Sequence, residues 1–402
     1  MLEELPKGRV EVHTSEATQP VPLESLDQVK ELKQLYDSDP SVSRLLERAQ
    51  EIEGVVRHAS THAAGFVISG DPLVWHSPLQ KVGKSETMVM TQYPQKALEE
   101  IGLLKMDFLG LANLTILANS IQNVKRHRGI DVDIMRIPLD DQKVFDMLGR
   151  GDTNGVFQLE GAGMRRNVIE LKPNSVRELA AMVALYRPGP MAFIPKFVRS
   201  KFGQEPIKYL HPSLEPILKE TYGVICYQEQ VMRIAQTIGG FTMGQADVLR
   251  KAMSKKDKDI LMKQLDRFLE GAKKTGVPEK VAREIFEQIE PFAGYAFNKA
   301  HAVCYAFLAY RTAYMKANYP VEYYAALLSA NMDDKDKLAV YIDDCRRLDI
   351  EVLPPDVNAS GVDFEVEGEA IRFGLGAIDA LGRGQVLFAL HEDLHFTHGH
   401  DL

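Results

Sequence analysis

Apolar residues recur at helical spacing twice near the start of the chain. Leu26, Val29, Leu32 and Tyr36 fall on one stripe, with Lys33 adding an aliphatic stem. Ser25 stands at the N-cap position, Gln28 completes a capping box, and Asp39-Pro40 stops the run. Val42, Leu45, Leu46, Ala49 and Ile52 make a second stripe, so residues 25–54 read as a small helical module. The first 24 residues carry no clear period. From Arg57 the spacing changes. Residues 63–69, 88–93 and 103–109 are short apolar-rich runs, separated by Gly70-Asp71-Pro72 and Val82-Gly83-Lys84, and they read as strands. Helical patterns then dominate from Leu111 to about Leu348, as in 176–186, 228–238, 245–253, 260–275 and 302–317. Arg187-Pro188-Gly189-Pro190 breaks them. From about Asp356 the pattern turns strand-like again, in 364–366 and 371–375. This order predicts an α+β chain that is predominantly helical.

Composition narrows the class. The 402 residues are 45% hydrophobic and 26% charged, which fits a globular chain of about two to four domains rather than a disordered or fibrous one. Cys226, Cys304 and Cys345 are widely spaced and odd in number, which argues against a disulfide framework or a Cys-rich zinc site. No apolar run is long enough to span a bilayer, and residues 1–10 have no signal-peptide core, so a cytoplasmic protein with no membrane partner is expected. Net charge is −8, yet residues 196–320 hold 20 Lys+Arg against 13 Asp+Glu. That segment reads either as a polyanion-binding face or as a solvated helical surface.

Three constellations could carry chemistry. On a strand, Lys105 and Asp107 share one face, while Leu104, Met106 and Phe108 share the other and are expected to be buried. An amine beside a carboxylate suits phosphate oxygens and Mg²⁺, or is a surface ion pair. Five of residues 250–258 are basic, beginning with Arg250 and Lys251. Such a run grips a triphosphate or a nucleic-acid backbone, or compensates a helix dipole. Phe292 to His301 sets aromatics, including Tyr295, among Asn, Lys and His. It reads as a base-stacking platform or as a helix start with core aromatics.

The order of the motifs adds a family resemblance. Arg57-His58-Ala59-Ser60-Thr61-His62-Ala63-Ala64-Gly65, Lys105-Met106-Asp107-Phe108-Leu109-Gly110-Leu111 and Gly155-Val156-Phe157-Gln158-Leu159-Glu160 resemble the alpha subunits of bacterial DNA polymerase III, the C-family replicative polymerases. So do Tyr186-Arg187-Pro188-Gly189-Pro190-Met191, Tyr222-Gly223 with Tyr227 to Met232, Leu249 to Lys256, Tyr295 to His301, and Leu353-Pro354-Pro355-Asp356-Val357-Asn358. The eight blocks are collinear and span residues 25 to about 385.

The resemblance implies a division of the chain. Residues 1–24 are an irregular segment, 25–56 a helical thumb remnant, and 57–112 part of a nucleotidyltransferase-type palm sheet. Residues 113–355 are large helical fingers, and 356–402 are their strand-like end and an atypical tail. It also implies site roles: Asp107 as the third of three metal-binding aspartates, with two Mg²⁺ ions in the complete family site. Lys105, Arg250, Lys251, Tyr295 and His301 lie around the incoming nucleotide. Partners would be primer–template DNA, deoxynucleoside triphosphates, a further N-terminal polymerase portion and other replicase subunits.

The sequence also departs from the family. A Pro-Asp-x-Asp motif carrying the other two aspartates is not found: Asp131-Val132-Asp133 lacks the proline, and Pro355-Asp356-Val357-Asn358 ends in asparagine. The expectation is a polymerase piece that is inactive alone, with a non-catalytic DNA- or nucleotide-binding remnant as the alternative. An unrelated helical interaction protein would not reproduce the ordered motifs. No counterpart is seen beyond about Gly384, so a non-native tail is expected. His391 and His395, at helical spacing there, are not read as a metal site.

Overall fold

The computed structural model describes residues 30–52, 62, 64–82, 89–255, 258–293 and 296–378. The Ser25 cap, Arg57 to Thr61, Tyr295 and the tail histidines therefore lie outside the described residues. The chain divides after Leu111 into two compact units, each described here by itself.

The first unit opens with α1 (Lys30–Ser38) and α2 (Pro40–Ile52). Asp39 does more than stop α1. Its carboxylate accepts from the Ser41 amide at 2.8 Å and from the Ser41 hydroxyl at 2.7 Å, so it caps α2, with Pro40 at the first helical position. The apolar stripe of α2 is only partly covered: Val42, Leu46 and Ala49 are half-buried, while Leu45 and Ile52 are exposed.

Two short antiparallel sheets follow. β1 (Gly65–Ile68) pairs with β4 (Leu104–Asp107), and β2 (Leu79–Lys81) pairs with β3 (Val89–Thr91). The helix α3 (Gln95–Glu100) precedes β4 and buries Leu98. The expected strands are present but shorter, and β2 was not anticipated.

The expected burial of Met106 and Phe108 is corrected. They are 41% and 63% exposed, and Phe66, Ile68 and Leu104 on the same face are exposed too. The register places Phe66 opposite Met106 and Ile68 opposite Leu104, and the Phe66 and Phe108 rings meet edge-to-face at 5.7 Å. Alternation correctly sorted the strand into two faces. A two-stranded sheet, however, provides no second layer to cover the apolar one.

The second unit is helical, with elements α4 (Ala112–Arg128), α5 (Gln142–Gly149), α6 (Ala162–Leu171), α7 (Val176–Leu185), α8 (Ile194–Lys201) and α9 (Glu215–Leu218). They continue as α10 (Gln228–Thr237), α11 (Met243–Lys255), α12 (Lys258–Thr275), α13 (Glu279–Ala293), α14 (Lys299–Asn318), α15 (Pro320–Ala330) and α16 (Lys335–Arg347). A three-stranded sheet closes the described part. β7 (Ala370–Arg372) lies between β5 (Val352–Leu353), parallel to it, and β6 (Glu365–Glu367), antiparallel.

Two cores organise this unit. In one, α14 packs on α7 and α5, and α15 packs on α4. The other gathers Ile234, Ile238, Leu249, Phe268, Ile285 and Ile289 from α10 to α13. Its helices come unusually close where Gly271 of α12 meets the turn after α10. A Cβ on Gly271 would lie 1.7 Å from the Gly239 carbonyl oxygen.

Two buried carboxylates, Glu178 and Glu322, are held by several donors each. Glu178 accepts from Lys201 Nζ at 2.8 Å, from Tyr222 Oη at 2.6 Å and from the Asn174 amide at 2.8 Å. Glu322 on α15 accepts from Arg128 Nε at 2.5 Å and lies 2.6 Å from His127 Nδ1, tying α15 to the end of α4. Among the described residues no helix is long and apolar enough to cross a membrane.

Candidate functional site

In the first unit, the pairing of β1 with β4 builds a small charged cluster. Lys105 Nζ donates to Asp107 Oδ1 at 2.5 Å, and His62 Nδ1 lies 3.6 Å from the same oxygen. Gly65 sits directly across the ladder from Asp107. A Cβ there would lie 2.8 Å from Lys105 Cε, 3.0 Å from His62 Nδ1 and 3.1 Å from Asp107 Oδ1. The glycine thus leaves the space in which the three groups converge. The hydrogen bond from Lys105 holds the Asp107 carboxyl below its ordinary value, with a smaller contribution from the charges of Lys105 and His62. His62 was not singled out in the sequence, because its nearness to Asp107 depends on strand register.

Among the described residues no three His, Cys, Asp or Glu side chains group together. Asp107 is a single carboxylate already engaged by an ammonium. The described residues do not by themselves fit a two-ion site, which draws on several carboxylate oxygens.

In the second unit, the two expected residues of α11 are locally neutralised. Arg250 Nε donates to Asp247 Oδ1 at 2.9 Å, and Lys251 Nζ lies 2.8 Å from Asp247 Oδ2. One aspartate three and four residues earlier serves both cations, a spacing that a helix brings onto one face.

His301 lies in the first turn of α14. The Asn298 side chain caps that helix by accepting from the His301 amide at 2.9 Å. The exposed imidazole stacks on Tyr305 at 4.1 Å and meets the Phe297 ring edge-on at 5.1 Å. The Arg187 guanidinium lies over the Phe297 ring at 4.1 Å, and Tyr305 meets Phe157 at 5.2 Å. Desolvation lowers the pKa of Arg187, which also donates to the Ala184 carbonyl.

Backbone contacts join this ladder to a second motif. Gln228 N donates to Phe297 O at 2.9 Å and Phe297 N to Cys226 O at 3.1 Å, while the Lys299 amide donates to both Glu229 oxygens. Four motifs separated in sequence therefore meet around Phe297 and His301. Arg187, Phe297 and Tyr305 are members that residue-by-residue reading did not single out. Tyr305 was detectable only as the residue one turn after His301. No hydrogen bond, ion pair or ring contact joins Arg250 or Lys251 to His301 among the described residues.

Three family models match the chain. A bacterial DNA polymerase III alpha NTPase domain matches residues 8–110, the finger domain of the same subunit matches 113–276, and a helix-hairpin-helix motif matches 349–390. The first two matches meet where the chain divides structurally. The first match begins ahead of residue 25, earlier than the expected start of the resemblance. The DNA polymerase III subunit alpha of Thermus aquaticus is 49% identical over 369 residues, covering 90% of this chain and 30% of that protein. Those of Caulobacter vibrioides and Aquifex aeolicus are 49% and 46% identical, each covering 89% of this chain and 31% of its own length. The chain thus spans about 30% of the curated relatives it matches.

Proposed function

The chain belongs to the family of bacterial DNA polymerase III alpha subunits, and from that membership we propose that it is part of a replicative, DNA-directed DNA polymerase. The observation that carries this reading is near-50% identity over nine-tenths of the chain, with the Lys105 and Asp107 motif intact on one strand face. The reaction is addition of a deoxynucleotide to a primer 3′-OH, a phosphoryl transfer whose catalysis is mostly positioning and charge stabilisation.

Residue roles follow the family pattern. Asp107 is a carboxylate of the metal site, to which Mg²⁺ supplies charge neutralisation when the remaining ligands are present. Lys105 faces the nucleotide's phosphates. Its hydrogen bond to Asp107 is the contact that a phosphate oxygen would replace. Arg250, Lys251, Tyr295 and His301 line the nucleotide from the fingers, with the aromatic ladder from Arg187 to Tyr305 supporting His301. Primer–template DNA is the macromolecular partner, which the helix-hairpin-helix match supports. The other replicase subunits and a further polymerase portion carrying two more aspartates complete the assembly.

The chain alone is inactive in this reading, since one carboxylate does not assemble a site that uses three. Engagement of Asp107 by Lys105 favours a second reading, a non-catalytic DNA- or nucleotide-binding remnant. Primer extension separates them. With Mg²⁺ and four nucleotides the isolated chain should extend no primer beyond an Asp107→Ala control. Added polypeptide carrying Pro-Asp-x-Asp should restore extension if the chain is a polymerase part, and should leave it absent if the chain is a remnant. In either case DNA binding should weaken steeply with salt, because phosphate contacts release counterions. Extension by the isolated chain above the control would overturn the inactivity.

A further inference from the structure

A cavity of about 370 Å³ lies in the second unit, away from every residue assigned above, where α5, the end of α14 and the end of α16 meet. Lys143 and Met147 line it from one face of α5 with Arg150 just past its end, and Asp344 and Arg347 from one face of α16 with Leu348 just past its end. Lys316 reaches it from α14 with a side chain only 2% exposed. We infer that this cavity is a binding site for a small organic phosphate, a dianion with an apolar body.

Charge balance carries the inference. Four cations, Lys143, Arg150, Lys316 and Arg347, line the cavity against two carboxylates, Asp152 and Asp344. Both carboxylates are already occupied. Asp152 pairs with Arg150 at 3.1 Å. Asp344 accepts from Tyr324 Oη at 2.8 Å and Asn154 Nδ2 at 3.0 Å, and it also pairs with Arg347. Lys316 Nζ donates to Asn154 O at 2.8 Å and stands 3.6 Å from Asp344, which leaves part of a three-donor ammonium for another acceptor.

Helix ends account for some of this charge. Arg150 follows α5, and Lys316 and Arg347 lie in the last turns of α14 and α16, where cations are favoured. Lys143 has no such role. It sits in the first turn of α5, where the helix dipole disfavours it, and has no ion pair among the described residues.

The chemistry selects the ligand. An excess of two positive charges matches a phosphate monoester better than a carboxylate. Guanidinium forks bind phosphate oxygens bidentately. Met147 and Leu348 provide an apolar surface for the rest of the molecule, and the volume falls within the range of small-ligand sites.

Calorimetric titration of the full chain with dAMP tests this, with deoxyadenosine as the control lacking phosphate. We expect one saturable site for dAMP and none for deoxyadenosine. Lys143 and Arg150 are exposed, so a Lys143→Ala/Arg150→Ala variant should keep its helical circular dichroism while losing at least tenfold in affinity. If that variant misfolds, Lys143→Glu provides the same reading from a single surface position. Lys280→Ala, an exposed position on α13 outside the cavity, should leave dAMP affinity unchanged. Equal binding of dAMP and deoxyadenosine, unchanged affinity in the cavity variants, or loss of affinity in Lys280→Ala would each overturn the assignment. Primer extension is a separate measurement, so this inference fails or stands apart from the polymerase reading.

Discussion

Gly65 faces Asp107 across two strands, and its missing side chain is what allows Lys105 to fold back onto that carboxylate. A Gly65→Ala substitution would bring a methyl group against Lys105 Cε and Asp107 Oδ1. The lysine end is flexible and would yield, lengthening the ion pair. The Asp107 carboxyl, held low mainly by its hydrogen bond from Lys105, should then titrate closer to its ordinary value. Because the folded value is depressed, any stability the pair lends is present above the unfolded carboxylate range and lost as pH falls. The group is solvent-exposed, so carbon-detected NMR titration, rather than melting, is the suitable readout. An unchanged Asp107 titration in Gly65→Ala would contradict the role given to the glycine.

Glu322 offers a stability test. Burial raises its pKa, but hydrogen bonds from Arg128 and His127 more than offset this, and the net shift is downward. Its contribution is therefore complete above the unfolded glutamate pKa and disappears as pH drops through the lower folded value. Arg128→Ala should cost about 3 kcal/mol, the low end for breaking a buried pair, because Arg128 remains partly exposed. Urea melts at neutral and acid pH should show the variant's deficit shrinking in acid. A deficit independent of pH would point to packing alone.

Gly271→Ala probes the closest helix approach. The added carbon would meet backbone, which cannot rotate away, so a loss of roughly 1–3 kcal/mol is expected despite alanine's better helix propensity. Gly244 of α11 meets nothing within contact distance. Gly244→Ala should therefore be neutral or gain a few tenths of a kcal/mol, up to about 1. Equal denaturation midpoints for the two variants would refute the close-packing argument.

The uncovered sheet face predicts association. Phe66 and Phe108 are exposed, so Phe66→Ser/Phe108→Ser should change stability by no more than about 0.5 kcal/mol at each site. The same variant should bind less of a hydrophobic dye and sediment with less concentration dependence than the parent. Identical sedimentation of the two proteins would show that this face is not adhesive.

Legibility in the sequence differed by element. The spans at 176, 228, 245, 260 and 302 all appear as helices within a few residues, because a 3.6-residue period repeated over several turns leaves little ambiguity. β2 and β5 were missed because Leu79-Gln80-Lys81 holds a single apolar residue and Val352-Leu353 is only two residues long. The burial of Met106 and Phe108 was misjudged for a different reason. Periodicity tells which residues share a face, whereas whether that face is covered depends on what packs against it. At the candidate site, Lys105 and Asp107 were legible because they are two residues apart on one strand. His62 and Arg187 were not, since their contacts to Asp107 and Phe297 are created by folding across long separations.

The helix α14 carries His301 in its first turn and Lys316 in its last. At a rise of 1.5 Å per residue these positions stand about 22 Å apart along one rod. An α-helix resists compression, and this one is buried along most of its length. A push at the Lys316 end therefore has no soft element in which to dissipate before it reaches the ring of His301. Any communication between the cavity and the aromatic ladder would take the form of a strut sliding or pivoting as a whole. Ligand occupancy at one end would then appear at the other as a displacement of the imidazole rather than as a change in its surroundings.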